Sequence, residues 1–193
     1  FKKIQIKKGD RVAAYMPNTI ETVEAFIATT SLGGIWSSCS PDFGSKGVVE
    51  RFSQINPKVL FVTDQYFYNG KKINILQRLE EILKFIPSIK NVVVVNYPGK
   101  NFINYNKKLK KVKLFKWNEL MLTRSQKINF KKYDFENALA ILYSSGTTGK
   151  PKCICHRSGG VLLQHKKEHL LHCDIKEKDN IFYFTTCGWM MWN

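Results

Sequence analysis

The stretch Ser144-Ser145-Gly146-Thr147-Thr148-Gly149-Lys150-Pro151-Lys152 concentrates residue types able to hold an anion. Gly146 and Gly149 let backbone N–H groups converge without Cβ clashes, the serine and threonine hydroxyls add donors, and Lys150 and Lys152 add positive charge. A triphosphate is the ligand such a cradle fits. The spacing departs from the P-loop pattern G-x-x-x-x-G-K-[S/T], because only Thr147 and Thr148 separate the glycines and Pro151 follows Lys150. On residue types alone the segment is either a phosphate cradle or an ordinary polar loop.

A second cluster, His165-Lys166-Lys167-Glu168-His169, fits the H-x-x-E-H pattern of inverted zinc peptidases, whose histidines stand one helical turn apart. His172, Cys173, Cys153 and Cys155 are near it in sequence. The motif is short and no complete third-ligand motif follows, so we expect a solvated polar helix face and assign no metal site. Cys153-x-Cys155 is too tight for an ordinary Cys-x-x-Cys ligand pair and is expected to place its thiols on opposite sides of a strand. His156, four residues after Lys152, is either a histidine hydrogen-bonded at a strand end or a direct participant. By residue type alone, Trp189, Met190, Met191 and Trp192 are core packing.

The elements that must position these groups alternate between apolar β-rich runs and stretches of helical period, the pattern of an α/β fold with a parallel sheet flanked by helices. Strands are expected at Arg11 to Met16, Ile35 to Ser38, Val59 to Val62, Val92 to Val95 and Ala138 to Tyr143. A helix is expected from Thr19 to about Leu32, with Asn18 as cap and Glu21 as the other half of a capping box. Further helices are expected over Ser45 to Ile55, Lys72 to Phe85, and Val161 to His172. Ser158 is the expected cap of the last, and Leu162, Leu163, Leu170 and Leu171 supply its buried face. Asn96 to Lys132 is rich in Lys and Asn and predicts a long excursion with one short helix near Trp117 and Leu120.

The chain of 193 residues is 44% hydrophobic, enough for a real core. Its net charge of +16 comes from lysine pairs scattered along the chain, a solvated basic surface rather than a nucleic-acid face. No run approaches the roughly 18 apolar residues of a membrane span. The five cysteines are odd in number and lack disulfide-framework spacing, which points to free thiols and the cytosol. Phe1 at the start and the apolar run before Asn193 predict a piece of a longer protein.

Tyr143 through Lys152 resembles, residue for residue, the phosphate-loop signature of the adenylate-forming superfamily of acyl-CoA synthetases, luciferases and peptide-synthetase adenylation domains. Gly9-Asp10-Arg11-Val12-Ala13, then Met16-Pro17-Asn18 and Glu21, is similar to the superfamily's amino-terminal subdomain, and Gly188-Trp189 falls at its aromatic motif. Ser40-Pro41-Asp42-Phe43-Gly44, Arg51-Phe52-Ser53-Gln54-Ile55, Gln164 to His169 and Cys187 to Asn193 resemble the acetoacetate-activating branch more than the acetate-activating one. Cys153 departs from the general pattern, in which many members have Gly.

The resemblance implies that residues 1–193 form part of the large N-terminal adenylation domain, with the mobile C-terminal domain and its assisting lysine outside them. It implies an ATP-dependent acid–thiol ligase: acetoacetate attacks the α-phosphate of MgATP, and coenzyme A then displaces AMP from the acyl-adenylate. Ser144, Ser145, Gly146, Thr147, Thr148 and Gly149 would hold the phosphates and Lys152 would assist the leaving pyrophosphate. Trp189, Met190 and Met191 would border the acyl pocket. Acetate or propionate as the acid, a catalytically inactive nucleotide-binding piece and, remotely, a zinc peptidase are the rival expectations.

Overall fold

The computed structural model describes residues 4–103, 105, 109, 111–122, 130–144 and 149–193. In chain order the elements are β1 (Arg11–Tyr15), α1 (Ile20–Ser31), β2 (Ile35–Cys39), α2 (Ser45–Ile55), β3 (Val59–Thr63), β4 (Gln65–Tyr68), β5 (Lys71–Asn74) and α3 (Leu79–Phe85). They continue with β6 (Asn91–Val95), β7 (Lys113–Lys116), α4 (Trp117–Met121), β8 (Ala138–Ser144), β9 (Lys152–Arg157) and α5 (Ser158–Lys167). A seven-stranded sheet runs in the order β7-β6-β3-β1-β2-β8-β9. Every described pairing in it is parallel except β8 with β9, so the α/β expectation holds.

The central strands read as unbroken apolar runs because both faces of the sheet are covered. Ala13, Tyr15, Leu60, Val62, Val92 and Val94 point into one core with Val48 and Phe52 of α2 and Leu79 and Ile82 of α3. The intervening Val12, Ala14, Val59, Phe61, Val93 and Val95 point into the other, with Ala25 of α1 and Trp117 and Leu120 of α4. The period of two along each strand thus divides its side chains between two helical layers.

Four expectations need correction. Asn18 does not cap α1: Thr19 is the cap residue, with no side-chain cap bond, and the Asn18 amide oxygen is taken by Trp192. Residues Lys71–Asn74 are a strand rather than the start of a helix, because Asn69 and Gly70 both adopt positive φ (48° and 70°) and close the β4–β5 hairpin. The helix there is confined to Leu79–Phe85, after a 3-10 turn at Leu76–Arg78. Within the Asn96–Lys132 excursion, β7 pairs with β6 before the expected short helix α4.

The fourth correction concerns α5, which starts at Ser158 with Arg157 as cap residue and passes into a π-helical turn at Glu168–His172. Ser158 does not cap it; its hydroxyl donates to Asn137 O at 3.0 Å. Leu162, Leu163, Leu170 and Leu171 are exposed rather than buried.

Candidate functional site

β8 lies beside β2, pairing Ala140 with Trp36, and reaches the edge of the sheet where the parallel strands end. Ligands of open α/β sheets bind outside that edge, where loops meet at the carboxyl ends of strands. β9 returns antiparallel with Ser144 opposite Lys152, so the candidate anion-binding segment is the connection of a hairpin. Ser145, Gly146, Thr147 and Thr148 lie outside the described residues. Gly149 has φ +123°, a backbone that side chains rarely adopt. Lys150 and Lys152 are exposed, with Pro151 buried between them.

The base of the hairpin is tied to β2. Ser37 Oγ donates to Ile141 O at 2.8 Å and lies 3.0 Å from the Tyr143 hydroxyl. Burial drives the Tyr143 phenol well above its ordinary value, so it stays a neutral hydrogen-bonding group.

The turn Ser40–Gly44 follows β2 at the same edge. Tyr15 OH donates to Phe43 O at 2.5 Å, and Arg78 Nη1 donates to Tyr15 OH (2.6 Å), Phe43 O (3.1 Å) and Pro41 O (3.2 Å). Ser40 Oγ donates to Asp42 Oδ2 at 2.7 Å. The Tyr66 phenol is pushed up to about 12, first by burial and then by the Asp42 carboxylate.

The Gly188-Trp189 motif docks on this turn. Ser38 Oγ donates to Cys187 O at 2.8 Å, and a Cβ on Gly188 would meet Phe43 Cε2 at 2.5 Å and Ser40 N at 3.1 Å. Neighbouring serines of β2 therefore hold the two candidate regions, Ser37 the phosphate hairpin and Ser38 the aromatic motif. Trp189, Met190 and Met191 are 52%, 36% and 67% exposed, so residue type misjudges them as core. They stand at the edge beside the turn. A cavity of 440 Å³ bordered by Glu80, Lys84, Lys90 and Lys111 is lined by none of these residues.

The rival motif assembles less. His165 and His169 stack with ring centroids 6.0 Å apart, and Glu168 bonds Gln164 and pairs with Lys167. Among the described residues no group of three His, Cys, Asp or Glu side chains converges as a metal site. Cys153 and Cys155 are exposed and two residues apart in β9, so the pleat puts both on one face, not on opposite sides as expected. His156 is half-buried opposite Ala140. Arg78 has no local signature, because its partner Tyr15 is distant in sequence; Arg51 and Gln54 lie in a stretch that carries the family resemblance, but the resemblance gives neither a role in supporting the site.

Comparison with known proteins agrees with this fold. Residues 1–192 match the family described as AMP-binding enzyme. Acetoacetyl-CoA synthetase of Gallus gallus is 46% identical over 198 residues, an alignment covering 100% of this chain and 29% of the relative. Malonamoyl-CoA synthetase vrtB of Penicillium aethiopicum is 40% identical over 196 residues, covering 100% of this chain and 27% of the relative. The solved structure of acetoacetyl-CoA synthetase from Streptomyces lividans superposes with a TM-score of 0.88 at 36% identity, over 99% of this chain and 28% of that one. The chain thus spans under a third of the length of the curated relatives it matches.

Proposed function

This chain belongs to the AMP-binding enzyme family, and from that premise we propose that it is part of an ATP-dependent acid–thiol ligase acting on acetoacetate. The observation that carries the reading is the hairpin Tyr143–Lys152 at the carboxyl edge of the sheet, tied through β2 to the Gly188-Trp189 motif. A donor-rich segment leaving β8 and an aromatic, methionine-bearing turn, both fastened to β2, suit a nucleotide phosphate and a small organic acid.

In the proposed reaction the carboxylate attacks the α-phosphate of MgATP, pyrophosphate leaves, and coenzyme A thiolate then attacks the acyl carbon and releases AMP. Ser144 to Gly149 bind the β- and γ-phosphates through N–H and hydroxyl donors, and Lys152 neutralises charge on the departing pyrophosphate. Mg²⁺ enters with the nucleotide as part of the substrate. Trp189, Met190 and Met191 border the acyl end. Residues 1–193 supply the phosphate side of an adenylation domain whose remainder lies in the rest of the polypeptide.

Two relatives' names support the acid. Acetoacetate and malonamate both carry a second carbonyl carbon one methylene away from the carboxylate, and both names occur at 40% identity or above. The corresponding role is ketone-body utilisation in lipid metabolism. Free thiols at all five cysteines suit the reducing cytosol.

The test is carboxylate-dependent pyrophosphate release by the full-length protein with MgATP, comparing acetoacetate, malonamate, acetate and propionate. Acetoacetate is expected to give the highest kcat/KM. A higher value for acetate or propionate overturns the choice of acid, and no release with any carboxylate overturns the ligase.

A further inference from the structure

The last turns of α2 touch both ends of the segment joining β8 to β9. At the entry, the Phe52 ring lies 6.4 Å from that of Tyr143, centroid to centroid. The Arg51 guanidinium lies 4.3 Å from the Phe43 ring centroid and 5.9 Å from that of Tyr143. At the exit, Gln54 Nε2 donates to Pro151 O at 2.9 Å, across 97 residues of chain. The same amide nitrogen donates to Glu50 O at 2.8 Å, one turn back in α2. One amide group therefore links the helix to the hairpin.

The bond falls at an informative place. Pro151 has no N–H, so its carbonyl is its only backbone group able to bond. That carbonyl shares a rigid peptide plane with the N–H of Lys152, and holding one fixes the direction of the other. Lys152 is exposed on one side of the buried Pro151 and Lys150 on the other. Fixing the peptide therefore fixes where the Lys152 side chain leaves the strand.

We propose that Gln54 is a positioning residue for the phosphate segment. Its amide holds the Pro151–Lys152 peptide so that Lys152 is aimed at the nucleotide phosphates, while Arg51 and Phe52 hold Tyr143 at the other end. The proposal rests on the phosphate-binding role given to Tyr143–Lys152 above. Gln54 touches no substrate and transfers no proton. Its effect is confined to the geometry of Lys152, and so to the MgATP terms of the rate law rather than to carboxylate binding.

The experiment uses the full-length protein with acetoacetate and MgATP. Gln54→Met keeps the side chain's length and removes the donor. It is expected to lower kcat/KM for MgATP about fivefold, with KM for acetoacetate unchanged and stability lowered by no more than the roughly 1 kcal/mol of one ordinary hydrogen bond. Gln54→Lys restores a donor and is expected to recover most of the loss. That recovery should persist at high ionic strength, where a general charge effect is screened. An unchanged kcat/KM for MgATP in Gln54→Met overturns the proposal. So does a parallel loss in stability and in both substrates' terms, which marks a merely structural contact. Lys152→Ala separates the two levels: if it impairs the MgATP terms while Gln54→Met does not, only the positioning role fails. If neither variant changes them, the phosphate-binding role of the segment fails with it.

Discussion

Trp192 donates its indole N–H to the Asn18 amide oxygen at 2.9 Å, across 174 residues of chain. Asn18 lies just past β1 and Trp192 just past the Gly188-Trp189 motif, so the bond fastens the motif to the carboxyl edge of the central strand. The Trp192 ring also packs 6.0 Å from Phe26 of α1. Trp192→Phe keeps an aromatic ring there and removes the donor. It should cost about 1 kcal/mol in urea unfolding, and Trp192→Ala should cost more because the ring contact goes as well. An unchanged stability in Trp192→Phe would mean that the indole N–H contributes nothing.

Lys152 is exposed at the start of β9, opposite Ser144. On the proposed reading, a cation there acts on charge that builds as pyrophosphate departs, not on the resting acid. Lys152→Ala should therefore lower kcat for pyrophosphate release on the order of 10²-fold while leaving KM for the carboxylate near its original value. Lys152→Arg keeps the charge and should lose less. A carboxylate KM that rises with kcat unchanged would place the lysine at the acid instead.

The elements readable beforehand are those whose signals are local. Ser45–Ile55 forms over the expected residues, and β3 and β6 follow the apolar runs because both faces of the sheet are covered. The β4–β5 hairpin also has a local signal in Asn69-Gly70, but the helix expected over Lys72 to Phe85 overrides it. β7 has none, since an edge strand reading Lys-Leu-Phe-Lys is mostly exposed. The Tyr143–Lys152 hairpin, the candidate phosphate site, stands out in the sequence as a contiguous motif. Its braces do not, because Gln54 meets Pro151 and Arg78 meets Tyr15 only once the sheet order is set.

Gly188 sits where no side chain fits. A Cβ there would lie 2.5 Å from the Phe43 ring and 3.1 Å from the Ser40 backbone nitrogen, and the backbone cannot yield as a flexible side chain would. Gly188→Ala should push the Trp189 turn off the Ser40–Gly44 turn. The expected cost is about 1–3 kcal/mol of stability, with KM for acetoacetate raised more than KM for MgATP. Equal changes in the two KM values would disconnect the Gly188 turn from the acyl end.

Burial pushes the Cys39 and Cys187 thiols from 9.0 up to about 12. Unfolding exposes them to water, where they ionise near the lower value. The folded protein therefore binds more protons than the unfolded chain between the two values. The stability these thiols contribute is whole below about pH 9 and drains away as pH rises toward 12, at about 1.4 kcal/mol per pH unit for each. Cys39→Ala removes one such group and should flatten the decline by that slope while lowering stability at pH 7, because a buried sulfur is lost from the core. Urea midpoints at pH 7 to 11, taken under reductant to prevent disulfides, measure this directly. Parallel curves for the wild type and Cys39→Ala would show that the Cys39 thiol ionises alike in both states.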